Sequence, residues 1–456
     1  MPEDPLQVSE FDLLLAAAML DRPSREAERT LESLVDTSLL QQPRPGRYRL
    51  HDLVRAHARR LAEAAPAAPA EAAEAAEAAA ARTAALRLFL DAGRITSDWG
   101  PRGFPTGPRP AEAPFAGWKD AEAWLDAAGA ELADVVGHAA ALGEADYACW
   151  IAEAMTDHFL GRGRYHECRT ALETALAHAD RAGDQRMALA LRNCLGIVDV
   201  YQGRFPQARA WFTEALDVSR HRADRREEAR ALGGLAAAEL NLGRAEQAIP
   251  HLTAVVELSR QLADDWLISM GLCLLGAVHH LQGRNEEALL AFDGAHTHAK
   301  ANGRPRMLSR VLALAADVHV GLGDYGEATT LLRRAADLVE QAGDTFLHAL
   351  TLARLGTAEQ GAGNLNDAIA LHHQALSQHQ ELDPLTEPHY DRIEMDIRCR
   401  LGRAYVAAGR VGEAREQFRT ALDVPGAAAH PAEREQALAG LDGLDGRHGL
   451  DECEVS

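Results

Sequence analysis

Between about Asp146 and Ala421 small and apolar positions recur with a fixed period. Gly163, Gly203, Gly243, Gly283, Gly323 and Gly363 fall forty residues apart, and Gly409 follows after a six-residue insertion. Five residues past each of the later glycines stands an alanine: Ala208, Ala248, Ala288, Ala328, Ala368 and Ala414. Each period predicts two helices, as in Met187–Gln202 followed by Phe205–Ala223. The second carries Ala208, Phe212, Ala215 and Leu216 as an apolar stripe at helical spacing. The glycine between them suits the left-handed residue that closes a helix. Asp184, Asp224, Asp264 and Asp344 precede the next first helix and are placed to cap it. The alanines let helices approach closely, and Phe212, Leu252, Phe292, Leu332 and Phe418 are expected to fill the space between units.

Leu195, Gly196, Gly203, Ala208, Phe212 and Ala215 form a ladder. It returns as Leu275, Gly276, Gly283, Ala288, Phe292 and Ala295, and again as Leu401, Gly402, Gly409, Ala414, Phe418 and Ala421. It resembles the tetratricopeptide repeat. That repeat has a usual period of about 34 residues, so six extra residues lengthen helices or turns here. HEAT and armadillo units come nearer to forty but do not explain the small–large ladder. The expected fold is all-α: a right-handed superhelical solenoid of about seven repeats over 145–424, with an N-terminal winged-helix module. First helices line the inner face of such a solenoid. The candidate partner-binding residues there are Ile197, Val200, Leu240, His280, Val320 and Val406, together with Ala237, Ala277 and Thr357. They are more apolar than a cationic carboxylate clamp and suit an amphipathic helix or extended peptide.

Residues 1–64 lie outside the repeat. The pattern predicts helices over Phe11–Leu20 and Ser24–Leu40, with Ser24 as N-cap, and a turn over Gln41–Arg47. A short strand over Tyr48–Leu50 and a helix over Asp52–Ala64 follow. Helix, helix, hairpin, helix is a winged-helix order. The stretch Leu34–Ala62 resembles the winged-helix module of the STAND signal-transducing nucleotidases, the NB-ARC type, and among them the SARP-type bacterial transcriptional regulators. In that family the module follows a nucleotide-binding domain and precedes tetratricopeptide repeats. Leu50-His51-Asp52 falls on the family's Met-His-Asp motif, with leucine for methionine. The resemblance implies that His51 touches the β-phosphate of bound ADP when a nucleotide-binding partner is present. A neutral imidazole has an N–H suited to that contact. The competing reading is a strand-to-helix junction, with Asp52 as N-cap and His51 packed or solvated.

No G-x-x-x-x-G-K-[ST] loop is present; Lys119 lies in Gly-Trp-Lys-Asp and Lys300 in Ala-Lys-Ala. The resemblance is therefore to the C-terminal part of such a regulator, without its nucleotide-binding domain. A P-loop domain, separate or missing, is the implied partner, and this chain by itself is expected to hold no cofactor. Residues 65–144 read as linker and bridging helices. Glu71–Arg82 is either a helix or a spacer, Leu86–Gly93 a helix, 100–110 a loop, and Trp118–Leu142 a helix. Trp124-Leu125 matches a "W-L" found before the repeats in the resembled family. Residues 425–456 read as a capping helix and tail.

The net charge of −21 repels nucleic acid. Locally, Arg44, Arg47, Arg49, Arg55, Arg59 and Arg60 face only Asp52, so a DNA-binding transcription factor is the alternative function. In the resembled family, however, this module works inside the switch, and DNA binding by this chain alone is not expected. The six cysteines form no C-x-x-C and most occupy small buried helix positions, which predicts reduced core thiols. With no signal pattern and no apolar run of membrane length, a cytoplasmic protein without a membrane partner is expected. Adjacent histidines such as His279-His280 point apart on a helix, so no metal site is expected. Four residues after the repeat leucine stand Asp199, Glu239, His279, His319, Glu359 and Tyr405, a column whose acids and histidines either bond in a ladder or, the favoured reading, line a wet part of the superhelix without coupling. No nucleophile or phosphate-loop signature supports catalysis. The expected function is a non-enzymatic regulatory, signal-sensing module whose repeats receive a peptide, protein or small-molecule signal.

Overall fold

The computed structural model describes residues 10–51, 54, 69–99, 114–129, 132–382 and 390–451. The fold is all-α apart from one small sheet, and the repeat region consists of antiparallel helix pairs. Every glycine of the forty-residue period has positive φ, from +65° at Gly163 to +87° at Gly363. In that region an added Cβ is strained, so glycine closes each first helix at little cost. Asp224, Asp264 and Asp344 cap the next first helices as expected, each accepting the backbone N–H three residues on. Asp184 differs. It accepts from the Arg186 N–H and from the Trp150 indole, and the helix starts only at Met187.

The chain divides into two compact units. The first comprises residues 1–160 and 164–215. Here strand β1 (Phe11–Asp12), helix α1 (Leu13–Leu20), helix α2 (Ser24–Asp36) and strands β2 (Leu40–Arg44) and β3 (Arg47–Leu50) form the N-terminal module. The antiparallel sheet has the order β1-β3-β2. Two expectations change. Gln41–Arg44 is strand rather than turn, and the turn shrinks to Pro45-Gly46, with Gly46 at φ +75°. Pro43 fits because β2 is an edge strand, where a missing N–H breaks no ladder bond. Ser24 is the first helical residue and Pro23 the N-cap, without a side-chain bond. Of the helix expected over 52–64 only residue 54 is among the described residues, and it is helical.

The linker reading is settled in favour of helix. A single helix, Pro69–Trp99, absorbs both Glu71–Arg82 and Leu86–Gly93. Its Leu86, Leu88, Phe89 and Leu90 share one core with Leu15 of α1, Leu125, Val136, and the first repeat helices as far as Val198. The N-terminal module is thus packed onto the bridging helices. The helix expected over Trp118–Leu142 breaks into Trp118–Ala128 and Leu132–Ala141, because Gly129 at φ +57° ends the first. Trp124 packs against Phe89 and Phe115, with centroids 4.8 and 5.6 Å away.

The second unit comprises residues 161–163 and 216–456. Its pairs are Arg225–Asn241 with Ala245–Gln261, Asp265–Leu281 with Asn285–Asn302, Pro305–Leu322 with Tyr325–Gln341, Thr345–Gly361 with Leu365–Gln380, and Tyr390–Ala407 with Val411–Asp423. The helix Pro431–Asp451 packs on the last pair. Inside each pair, the residue after the repeat leucine meets the large residue sixteen positions on. A Cβ built on Gly276 would lie 2.9 Å from the Phe292 ring, and one on Gly402 2.6 Å from Phe418; in the first unit Gly196 stands 2.6 Å from Phe212 in the same sense. Where alanine replaces that glycine, at Ala236 and Ala316, the partner shrinks to Leu252 and Leu332, in the same clusters. The large residues therefore fill space within their own pair first. Phe418 also serves between elements, since a Cβ on Gly440 of the following helix would come within 2.6 Å of it.

In the Thr345–Gly361 pair the large residue is His372, set against Gly356. It is fully buried, and neither ring nitrogen has a hydrogen-bond partner among the described residues. Burial, and then Arg400 and Arg403, push its pKa down from 6.5 to about 3, so the ring is neutral. The unfolded chain binds this proton more readily than the folded one, so the site costs stability as pH falls from about 6.5 towards about 3. His372→Phe restores the ring that other pairs use. It is expected to raise stability at pH 7 by roughly 1–3 kcal/mol, the cost of buried unbonded polar atoms, and to flatten the loss below pH 6.5. Urea melts of both proteins across that range check it; an unchanged pH profile in the variant would contradict it.

Candidate functional site: the first-helix faces

Ile197 and Val200 lie on Met187–Tyr201 in the first unit. Leu240, His280, Val320 and Val406 lie near the ends of four first helices in the second. All six are half-buried rather than exposed. Ile197 packs on the core of the first unit. Leu240, Val320 and Val406 each pack on the cluster of their own helix pair, which the next helix extends. His280 bonds Asn285 at 3.0 Å and stands 3.5 Å from where a Cβ on Gly321 would be. These side chains therefore contribute to stacking as well as to a surface, and a glutamate at any of them would disturb both.

The acid–histidine column does not bond along itself. Apart from His279, whose Nδ1 is buried without a hydrogen bond among the described residues, its members turn to the start of their own second helix or back to the preceding one. Asp199 takes Arg204 at 2.7 Å and Arg169 at 2.5 Å, and Glu239 takes Arg244 at 3.4 Å. His319 pairs Asp324 at 3.2 Å, and Glu359 takes Asn364 at 2.7 Å and Arg333 at 2.6 Å. Tyr405 bonds His373 at 2.7 Å and lies under Arg410. The reason is direction: the side chain one turn past the glycine or alanine of the pair reaches the interhelix turn before it reaches the next repeat.

Sequence reasoning missed a polar lane across three first helices of the second unit. Asp317 of Pro305–Leu322 faces Arg354 of Thr345–Gly361 at 3.6 Å. Thr357, one turn on, accepts from Arg400 of Tyr390–Ala407 at 2.9 Å. Arg400 also bonds Asp396 at 2.8 Å, and Arg403 reaches Gln436 at 3.2 Å. Burial raises the Asp317 carboxyl above the usual range, with Arg354, Arg400 and His280 acting against it. The first-helix face thus carries a charged lane beside its apolar candidates. A signal was legible: Arg354 and Arg400 stand immediately before Leu355-Gly356 and Leu401-Gly402, where other periods have Cys194, Gly234, Leu274 and Leu314.

His51 is exposed, its backbone N–H donating to the Leu39 carbonyl at 3.5 Å; Asp52 lies outside the described residues. The wing arginines have protein partners. Arg44 pairs Glu10 at 2.9 Å, Arg49 bonds Gln41 at 2.9 Å, and Arg47 donates to the Ala127 carbonyl of the bridging helix. Arg55, Arg59 and Arg60 lie outside the described residues. Cys149, Cys168, Cys194, Cys273 and Cys399 are buried free thiols, as expected. Burial pushes Cys149 up to about 12 and Cys399 to about 11, so neither is a ready nucleophile. Among the described residues no helix is long and apolar enough to cross a membrane.

The tetratricopeptide-repeat family model matches residues 151–221 and 227–301. A stretch of 54 residues is 59% identical to the regulatory protein AfsR of Streptomyces coelicolor and 56% identical to that of Streptomyces griseus. It is 12% of this chain and only 5% and 6% of those regulators. Among solved structures, a STAND protein with a tetratricopeptide-repeat sensor from Pyrococcus horikoshii is 14% identical with TM-score 0.49, covering 96% of this chain and 63% of that one. The apo form of the quorum sensor NprR from B. thuringiensis is 13% identical with TM-score 0.43, covering 67% and 96%.

Proposed function

We propose that this chain is a non-enzymatic regulatory module related to the SARP-type STAND transcriptional regulators, whose repeats receive a peptide or protein signal on their first-helix faces. The observation that carries it is the 59% identity to the regulatory protein AfsR in a chain otherwise made of helix pairs. At that identity a shared local structure is secure, whereas the whole regulator's activity is our inference. The N-terminal module acts in this reading as a winged helix that contacts a nucleotide-binding domain, and the exposed His51 meets a phosphate of the nucleotide held there. The protein works in the cytoplasm. The partners already held by Arg44, Arg47 and Arg49 weigh against a DNA-reading wing.

The test is selection of displayed peptides on the immobilised full chain, followed by their binding to variants. Selected peptides are expected to lose affinity severalfold to His280→Ala and Val320→Ala, which shorten side chains without adding a charge, while far-ultraviolet circular dichroism is unchanged and no ATP is hydrolysed. Peptides that bind both variants at full strength, or ATP turnover by the pure chain, would contradict the proposal.

A further inference from the structure

The lane across the second unit carries more positive than negative groups. Arg354, Arg400 and Arg403 oppose Asp317 and Asp396. The opposition is incomplete. Arg354 meets Asp317 only at 3.6 Å, and among the described residues its guanidinium makes no hydrogen bond, although it carries five donors. Its side chain is 36% exposed, so those donors are reachable. Arg400 is by contrast fixed, bonded to Thr357 and Asp396. Arg403 lies one turn from Arg400 on the same helix, a spacing at which like charges repel. Burial and Arg400 together lower the pKa of Arg403. An added anion would relieve both strains: the loosely matched fork of Arg354 and the crowding of two cations.

The identity of that anion follows from charge and shape. The chain carries −21 overall, so a local excess of arginine selects an acidic ligand there and repels it elsewhere. The lane crosses three neighbouring helices, and half-buried Val320 and Val406 lie on the outer two. An extended segment with acidic and apolar residues in alternation matches both features. We propose that this lane binds a side-chain carboxylate of an acidic peptide laid across Pro305–Leu322, Thr345–Gly361 and Tyr390–Ala407, with Arg354 as the bidentate fork and Arg400, held by Thr357, beside it. The planar guanidinium suits this task because two parallel N–H groups match two carboxylate oxygens. The inference rests on the peptide-receiving reading above and names the chemistry of its ligand.

Fluorescence anisotropy with the full chain tests it. The probe is a labelled peptide of alternating glutamate and leucine, roughly six residues long, enough to cross two helix spacings when extended. The comparison peptide has glutamine for every glutamate. The glutamate peptide is expected to bind roughly tenfold or more tightly than its counterpart, and Arg354→Gln to remove that advantage. Arg354→Lys should keep only part of it, and Arg419→Gln, an exposed arginine on Val411–Asp423, should change nothing. Thr357→Val, which leaves Arg400 held by Asp396 alone, should weaken binding without unfolding the pair. Equal binding of the two peptides, binding of neither, or an undiminished preference in Arg354→Gln overturns the proposal. Each of those outcomes leaves the peptide-receiving reading to be decided by the selected peptides, whose loss on His280→Ala and Val320→Ala does not depend on charge.

Discussion

Steric complementarity inside each helix pair is the constraint on which the repeat region depends. One position on the first helix and one on the second must share a fixed space, and the chain divides it in two ways. Glycine is matched with phenylalanine at Gly196–Phe212, Gly276–Phe292 and Gly402–Phe418, and alanine with leucine at Ala236–Leu252 and Ala316–Leu332. Close-packed interiors resist a change of even one methyl group, so this division fixes how near the helices of a pair approach. The histidine at Gly356–His372 keeps the volume and gives up hydrogen bonds. Spacing set in this way brings first helices of neighbouring pairs side by side and aligns their side chains into rows.

What such a row does depends on which residues occupy it. In the row that begins at Asp199, acids and bases are consumed by the turns and by the preceding second helix, and so tie repeat to repeat. In the row through Arg354 and Arg400, Arg400 is bonded but Arg354 is only loosely matched, which leaves capacity for something outside the chain. The first kind of row is structural, and the second is the one we propose as a recognition surface. At the other end of the chain, the packing of Leu15 with Leu86 and Phe89 holds the N-terminal module against the bridging helices.

Much of the fold was legible because period is a one-dimensional signal. The left-handed glycines, the caps at Asp224, Asp264 and Asp344, and the buried alanines all follow from spacing alone. Three things did not follow. The break at Gly129 interrupts an otherwise continuous helical pattern, and a lone glycine inside such a pattern is a weak stop signal. Gln41–Arg44 carries turn-like residues, and only pairing with Arg47–Leu50 makes it a strand. The candidate surface was chosen on apolar character, which found half-buried packing residues such as Leu240 and passed over Arg354 and Arg400. Those arginines gain meaning from contacts between helices more than thirty residues apart in sequence, and hydropathy along one helix carries no such information.

The central claim is that glycine–phenylalanine and alanine–leucine are alternative solutions to one packing requirement. A double-mutant cycle on Gly276→Ala and Phe292→Leu, read by chemical denaturation of the full chain, tests it most directly. Each single substitution is expected to lose roughly 1–3 kcal/mol, the first by overpacking and the second by leaving space. The double variant, which reproduces the pairing at Ala236–Leu252, is expected to recover most of that loss, giving a coupling well outside the few tenths of a kcal/mol seen for independent sites. Losses that simply add in the double variant would contradict the account.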